Sequence, residues 1–432
     1  MKFTKMKKIM LSLSMLLMPA GCSQSHTVGK DIKEDDISDF YWTESASTNP
    51  SHYQRYRLYT EDGQHYFHHE YAVGFGLDLT ENDFVESGTK ELNDTEWQSF
   101  YELIEGGTVT KISDNASAGY DKTVRIYWTN DKGNIREFSF ENNEKASAFE
   151  QKCKEMKNAM MEGQTVKGIF ANNGVMEYIH FGDPDKETLV ILPGMTLRSV
   201  MLYADAIIPA YETLAEEYDI YLFNNIRVLP DNYSIFDMCE DTVSALQKLG
   251  VDHMSIMGVS LGGMTGMQIA LNHPDMVDAL VLCSAASRLD ENSFSLIHTW
   301  RELAHLKDNV NLMKSFGEHV YTAGYYENNR EALLAYGELA TDLDYQNFVI
   351  CADAICNFDI YDELDDIQCP VFVAASKQDA VLGVQPSLDI IEKLNCENYI
   401  YEGYSHAIYD EAPDYQSRVK AFLDTAINRK ED

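Results

Sequence analysis

The stretch "MSIMGVSLGGMTGMQIALNHP", residues 254–274, decides how the rest of the chain is read. It sets Ser260 between Gly258 and Gly262, behind one apolar run and ahead of another. Residues 253–257 are apolar enough for a central parallel strand buried on both faces. Residues 263–272 place Met264, Met267, Gln268 and Leu271 at helical spacing, and Pro274 stops the helix just beyond. A serine at such a strand-to-helix junction is forced into a strained backbone conformation, and flanking glycines remove the side chains that would collide there. The hydroxyl is then pushed clear of its own chain. A small-residue turn without chemistry would carry the same letters, so the reading depends on what stands elsewhere.

Outward from this stretch, apolar strands alternate with amphipathic helices from Val166 onward, the pattern of an α/β domain. "GVMEYIHFG" (174–182), "TLVILPG" (188–194) and "YDIYLFNNI" (218–226) read as strands, as do "DALVLCSAA" (278–286), "PVFVAASKQD" (370–379) and "ENYIYEGYSHA" (397–407). "MLYADAIIPAYETLAEE" (201–217) and "SIFDMCEDTVSALQKLG" (234–250) read as helices, and a last helix ends near Arg429. A helical insertion, about 288–366, interrupts the sheet. It carries Trp300, Phe316, Tyr321, Tyr325, Tyr326, Tyr336, Tyr345, Phe348 and Phe358. More of these belong to the insertion's own core than to a pocket wall, because a helical layer must bury one face in any case.

With these elements placed, residues 170–428 resemble the α/β-hydrolase superfamily of serine esterases, lipases and peptidases. "LPGM" stands where that family has its His-Gly-x loop, "GVSLGG" is its serine turn, "VFVAASKQD" matches the strand ending in the acid, and "YSHAIYDEAPD" matches the segment bearing the histidine. Ser260, Asp379 and His406 follow in the family's order. The resemblance implies a mostly parallel sheet with a helical cap at 288–366. It also implies a catalytic triad of Ser260, Asp379 and His406, and an oxyanion hole made by the amides of Leu261 and Met195. Two departures stand out: Pro193 replaces the histidine of His-Gly, and "NNIRVLPDNYS" (224–234) keeps Arg227 but lacks the glycines usual in that loop.

The chemistry gives each residue type a reason. A serine hydroxyl is a feeble nucleophile without a base in hydrogen-bond reach, and His406 alone among the 12 histidines has the loop position expected of that base. Asp379 would hold the second ring nitrogen and steady the imidazolium, although an aspartate in this place can equally cap the following helix. The expected activity is cleavage of a small-molecule carboxylic ester through an acyl-enzyme. Alternatives are transfer of that acyl group to another acceptor, and a binding lipoprotein that has kept the fold without the activity. No cofactor is expected.

The chain opens with Lys2, Lys5, Lys7 and Lys8 before the apolar run Ile9–Met18, too short to span a bilayer, followed by "PAGC" at 19–22. This resembles a bacterial lipoprotein signal, in which Cys22 would receive a lipid such as palmitate. The expected location is extracytoplasmic, on the cell membrane, with residues 1–22 as signal and 23–39 as a polar, acidic tether. Between the tether and the hydrolase-like domain of 164–432, residues 40–163 read as a small α+β domain of two ββα units. Its hairpins turn near Asp62-Gly63 and Lys132-Gly133. His65, His68 and His69 lie there on one strand, but neighbours on a strand point to opposite faces, which argues against a shared metal ion.

With 70 acidic against 34 basic residues, the formal charge of −36 disfavours nucleic-acid binding and insertion among anionic headgroups. Beyond Cys22, seven cysteines remain, with no CxxC and no zinc-like spacing, so no metal site is expected.

Overall fold

The computed structural model describes residues 25–46, 52–61, 63–73, 85–111, 123–129, 136–162 and 165–431. Cys22, the signal segment, Asp62 and the Lys132-Gly133 turn lie outside the described residues. The chain divides into two compact units near residue 158.

The first unit is an eight-stranded sheet made of β1 (His26–Thr27), β2 (Ile37–Ala46), β3 (His52–Glu61), β4 (Gln64–Val73), β5 (Val85–Leu92), β6 (Thr108–Lys111), β7 (Thr123–Trp128) and β8 (Arg136–Ser139). Their order is β1-β6-β8-β7-β2-β3-β4-β5, with antiparallel pairing. Helices α1 (Asp94–Ile104) and α2 (Asn143–Glu162) complete it. The core is aromatic: Phe40, Tyr56, Phe67, Phe100 and Phe149 are all buried to 1% exposure or less. This differs from two ββα units. Four strands rather than two precede α1 after β1, because β5 ("VESGTKEL") has no apolar alternation to announce it. The expected tether is also partly folded: Val28 and Ile32 are buried, and β2 begins at Ile37. A register shift between Ile37 and Asp39 sends Ile37 and Phe40 inward although they stand three apart, which breaks the period of two a strand normally shows.

The second unit holds an eight-stranded sheet of β9 (Val166–Phe170), β10 (Val175–Gly182), β11 (Thr188–Leu192), β12 (Asp219–Ile226), β13 (Met254–Val259), β14 (Val277–Cys283), β15 (Val371–Ser376) and β16 (Glu397–Tyr401). The order is β16-β15-β14-β13-β11-β12-β10-β9, parallel from β16 to β12, with β10 and β9 antiparallel at one edge. Every residue of β13 and β15 is buried. Successive residues of these strands feed different cores: Ile256, Leu280 and Val373 enter one cluster, Met257, Val281 and Ala374 the other. A sheet covered on both faces requires such unbroken apolar strands.

On the first face lie α5 (Ile235–Lys248), α6 (Leu261–Asn272) and α11 (Gln385–Leu394). On the second lie α3 (Ala204–Ala210), α4 (Glu212–Ala215) and α13 (Tyr415–Glu431), while α12 (Ile408–Glu411) follows β16. The single helix expected over 201–217 is a 3-10 turn and two short helices, since Pro209 inside α3 supplies no amide and ends the run at Ala210.

Between β14 and β15 stands the helical insertion: α7 (Glu291–His305), α8 (Asn309–Val320), α9 (Ala323–Glu338) and α10 (Asp342–Cys356). An antiparallel bridge between Arg288 and Asp359 closes its base. Helices α7 and α10 pack together, as do α8 and α9. Trp300 and Phe348 are the largest fully buried side chains of this layer.

Candidate active site

The loops after the parallel strands' carboxyl ends converge, as they do wherever open α/β sheets form a crevice. Gly194 and Met195 follow β11, Ser260 follows β13, Ser284 follows β14, Asp379 follows β15 and His406 follows β16.

Ser260 occupies φ 50°, ψ −114°, a backbone region costly for any residue with a Cβ. Its amide donates to the Cys283 carbonyl at 2.9 Å, which ties the turn to the neighbouring strand. The turn closes only because its neighbours are glycines. A Cβ on Gly258 would lie 2.4 Å from the Gly262 carbonyl oxygen, and one on Gly262 would lie 2.0 Å from that of Leu192. Ser260 stands at the N-cap of α6, yet its side chain makes no capping hydrogen bond. The hydroxyl is thus left for the cavity it lines.

His406 and Asp379 are buried, 4% and 8% exposed, and joined by a 2.9 Å contact from His406 Nδ1 to Asp379 Oδ2. Asp379 does not cap a helix. Its Oδ1 instead accepts from the amides of Val381 (2.8 Å) and Leu382 (3.0 Å), so both carboxylate oxygens are satisfied as an anion requires. With a proton on Nδ1 facing the carboxylate, Nε2 carries a lone pair. Ser260 and His406 line one cavity of about 20 Å³, and among the described residues no hydrogen bond joins them.

Several residues absent from the sequence reading hold this arrangement. The Ser284 hydroxyl donates to the His406 carbonyl at 2.7 Å, fixing the loop from the adjacent strand. The insertion grips the same loop: the Ala407 amide donates to Val320 O at 2.9 Å, and the Ser405 hydroxyl to His319 O at 2.6 Å. Their only sequence signal is position, since small hydroxyl residues beside a strand end are too common to single out.

Met195 and Leu261 are buried, Met195 lines the Ser260 cavity, and neither amide has an acceptor among the described residues. For Leu261 this follows from its place as first residue of α6, where helix geometry leaves the amide unpaired. Ile297, Trp300, Phe316, Val320 and Ile355 of the insertion face the Ser260 cavity, so the helical layer walls the site. Beyond Gly194, Met195 and Leu261 a second cavity of about 460 Å³ opens, lined by Arg198, Asn224, Asn225, Arg227 and residues of α10. The divergent "NNIRVLPDNYS" segment therefore shapes this second cavity.

The seven described cysteines are free thiols. Burial pushes Cys283 and Cys351 up to about 12, so neither offers a thiolate near the serine. The histidines on β4 serve structure: His65 stacks on Trp97 with ring centroids 4.0 Å apart, and His69 is fully buried on the opposite face from His68. Among the described residues, Cys239, Glu240 and His273 group as possible metal donors, but His273 Nε2 and Glu240 already satisfy one another at 2.8 Å.

The alpha/beta hydrolase fold family matches residues 187–413, more than half of the chain and a stretch that includes Met195, Ser260, Leu261, Asp379 and His406. The chain belongs to the α/β-hydrolase family. Within the family, it is 27% identical over 272 residues to "Putative carbamate hydrolase RutD" of Caulobacter sp. (strain K31), covering 59% of this chain and 90% of that protein. Two solved α/β-hydrolase-like structures superpose at a TM-score of 0.52. The enol-lactonase of Burkholderia xenovorans LB400, 18% identical, covers 61% of this chain and 100% of its own. The thermophilic esterase of Thermogutta terrifontis, 15% identical, covers 61% and 99%. At these identities they speak for the fold alone. The first unit lies outside the matched residues 187–413.

Proposed function

We propose that this protein is a serine hydrolase that cleaves a carboxylic ester, or a closely related acyl bond, through an acyl-enzyme on Ser260. The observation carrying this reading is the strained Ser260 turn sharing one cavity with the buried Asp379–His406 pair. Ser260 Oγ attacks the substrate carbonyl carbon while His406 Nε2 takes its proton. The oxyanion that forms accepts from the amides of Leu261 and Met195, which have no other acceptor among the described residues. Collapse expels the alcohol, protonated by His406. Water then attacks the acyl-enzyme with His406 as base, releasing the acid and restoring Ser260. Asp379 keeps the ring in the required tautomer and offsets its transient charge. Similarity to the protein named "Putative carbamate hydrolase RutD" accords with attack on an acyl carbon.

The test is hydrolysis of a small neutral ester such as methyl pentanoate, followed by acid release. Ser260→Ala and His406→Ala should each lose nearly all turnover, and the double variant should be no worse than either, because nucleophile and base act as a unit. Turnover surviving in folded Ser260→Ala overturns the reading.

The protein acts outside the cytoplasm, held to the bacterial cell membrane by lipid on Cys22. The lysines, short apolar run and "PAGC" of residues 2–22 support this placement. Among the described residues no helix is long and apolar enough to cross a membrane. Metabolic labelling with a fatty-acid analogue should mark the wild type and not Cys22→Ala; label persisting on the variant contradicts the anchor.

A further inference from the structure

We infer that the substrate's acyl part carries a carboxylate, or another anionic group of that size, received by Arg198 in the cavity beyond the oxyanion site. This rests on the proposed acyl-transfer role of Ser260. His406 must protonate the leaving alcohol, so that alcohol occupies the space His406 lines, which is apolar and only about 20 Å³. The second cavity, about 460 Å³, touches Gly194, Met195 and Leu261 but not His406. It is where the acyl substituent can extend while its carbonyl oxygen faces those amides.

The charges in that cavity are unevenly committed. Its carboxylates are both engaged: Glu177 faces Arg227 at 3.5 Å and accepts from the Ser199 hydroxyl, and Asp344 caps α10 by accepting from Thr341 at 2.7 and 2.8 Å. Arg198 has no carboxylate partner among the described residues, in a chain with twice as many acids as bases. It is nonetheless held in place. The Tyr336 hydroxyl accepts from the Arg198 amide at 2.7 Å and donates to its carbonyl at 2.8 Å, and the guanidinium lies 5.3 Å from the Tyr336 ring centroid. A positioned guanidinium without an anion, on the wall of a cavity that shares Gly194 and Met195 with the Ser260 cavity, is a receptor for one, and its planar fork matches a carboxylate. Asn224, which donates to Ser199 at 3.0 Å, keeps that wall polar.

The experiment compares methyl pentanoate with the monomethyl esters of succinate, glutarate and adipate, which replace a terminal methyl by carboxylate at graded reach. The wild type should favour at least one anionic ester over the neutral one by about tenfold in kcat/KM, the scale of a charge-assisted hydrogen bond. Arg198→Gln should reduce that anionic-to-neutral ratio at least tenfold, and Arg198→Lys should restore part of it through KM. Binding of the preferred monoester to Ser260→Ala, read by ligand-observed NMR, should vanish in Ser260→Ala/Arg198→Gln. Turnover without anionic preference, or a ratio unmoved by Arg198→Gln, overturns the inference while leaving the serine mechanism standing. Arg198-dependent binding without any Ser260-dependent turnover upholds the anion site and overturns the mechanism. A monoester that fails to bind Ser260→Ala overturns the anion site.

Discussion

Replacing Gly262 by alanine places the new methyl group 2.0 Å from Leu192 O, 2.4 Å from Leu192 C and 2.7 Å from Pro193 O. All three are backbone atoms, so no rotamer relieves the clash. Ordinary contact begins near 3.4 Å, so α6 and the end of β11 must part by more than 1 Å. The atoms that move apart are those of the site: Ser260 and Leu261 open α6, and Gly194 and Met195 follow Leu192. A misplacement of about 1 Å costs roughly 100-fold in rate, and loss of one oxyanion donor about 100- to 1000-fold, or about 2.7–4 kcal/mol. Overpacking should lower stability by about 1–3 kcal/mol. Gly324→Ala in α9 is the matched control, because among the described residues nothing beyond its own stretch of helix lies within 4 Å of its new Cβ. The assay is kcat/KM on methyl pentanoate alongside thermal unfolding. Gly262→Ala that stays folded and keeps activity within about threefold of wild type, well under the 100-fold expected of such a shift, would refute the close-approach argument.

Asp379→Asn should slow turnover by about 10⁴-fold, less than the roughly 10⁶-fold expected of Ser260→Ala, since the acid orients the ring rather than attacking; equal losses would remove Asp379 from this role. In the first unit, burial, aided by the charges of Lys157 and His68, holds His69 down at about 2, so the folded state keeps it neutral. The unfolded chain takes up that proton below about pH 6.5, so stability falls as pH drops through this value, by about 2.7 kcal/mol at pH 4.5. Denaturant unfolding of wild type and His69→Phe at pH 7.5 and 4.5 should show the variant gaining that much on wild type at the lower pH, and an unchanged difference would contradict it.

The serine turn was legible because each of its requirements is local: an unbroken apolar strand, two glycines and a helix fit within 21 residues. Asp379 and His406 were legible through strand ends and chain order. The second cavity was not, because Glu177, Arg198, the pair Asn224 and Arg227, and Asp344 come from four separated segments that only the fold assembles. Nor was the clamp of Val320 and His319 on the histidine loop, which runs through backbone carbonyls that any side chain could carry. In the first unit, polar β5 and the irregular register of β2 hid strands whose burial is decided by their neighbours.

The most direct test of the central claim is covalent labelling with a fluorophosphonate, which captures a serine only when it is activated as a nucleophile. The account predicts one label per folded wild-type chain, located by mass spectrometry on Ser260, and none on Ser260→Ala. A folded wild type that takes no label, or a label that persists on Ser260→Ala, would contradict it.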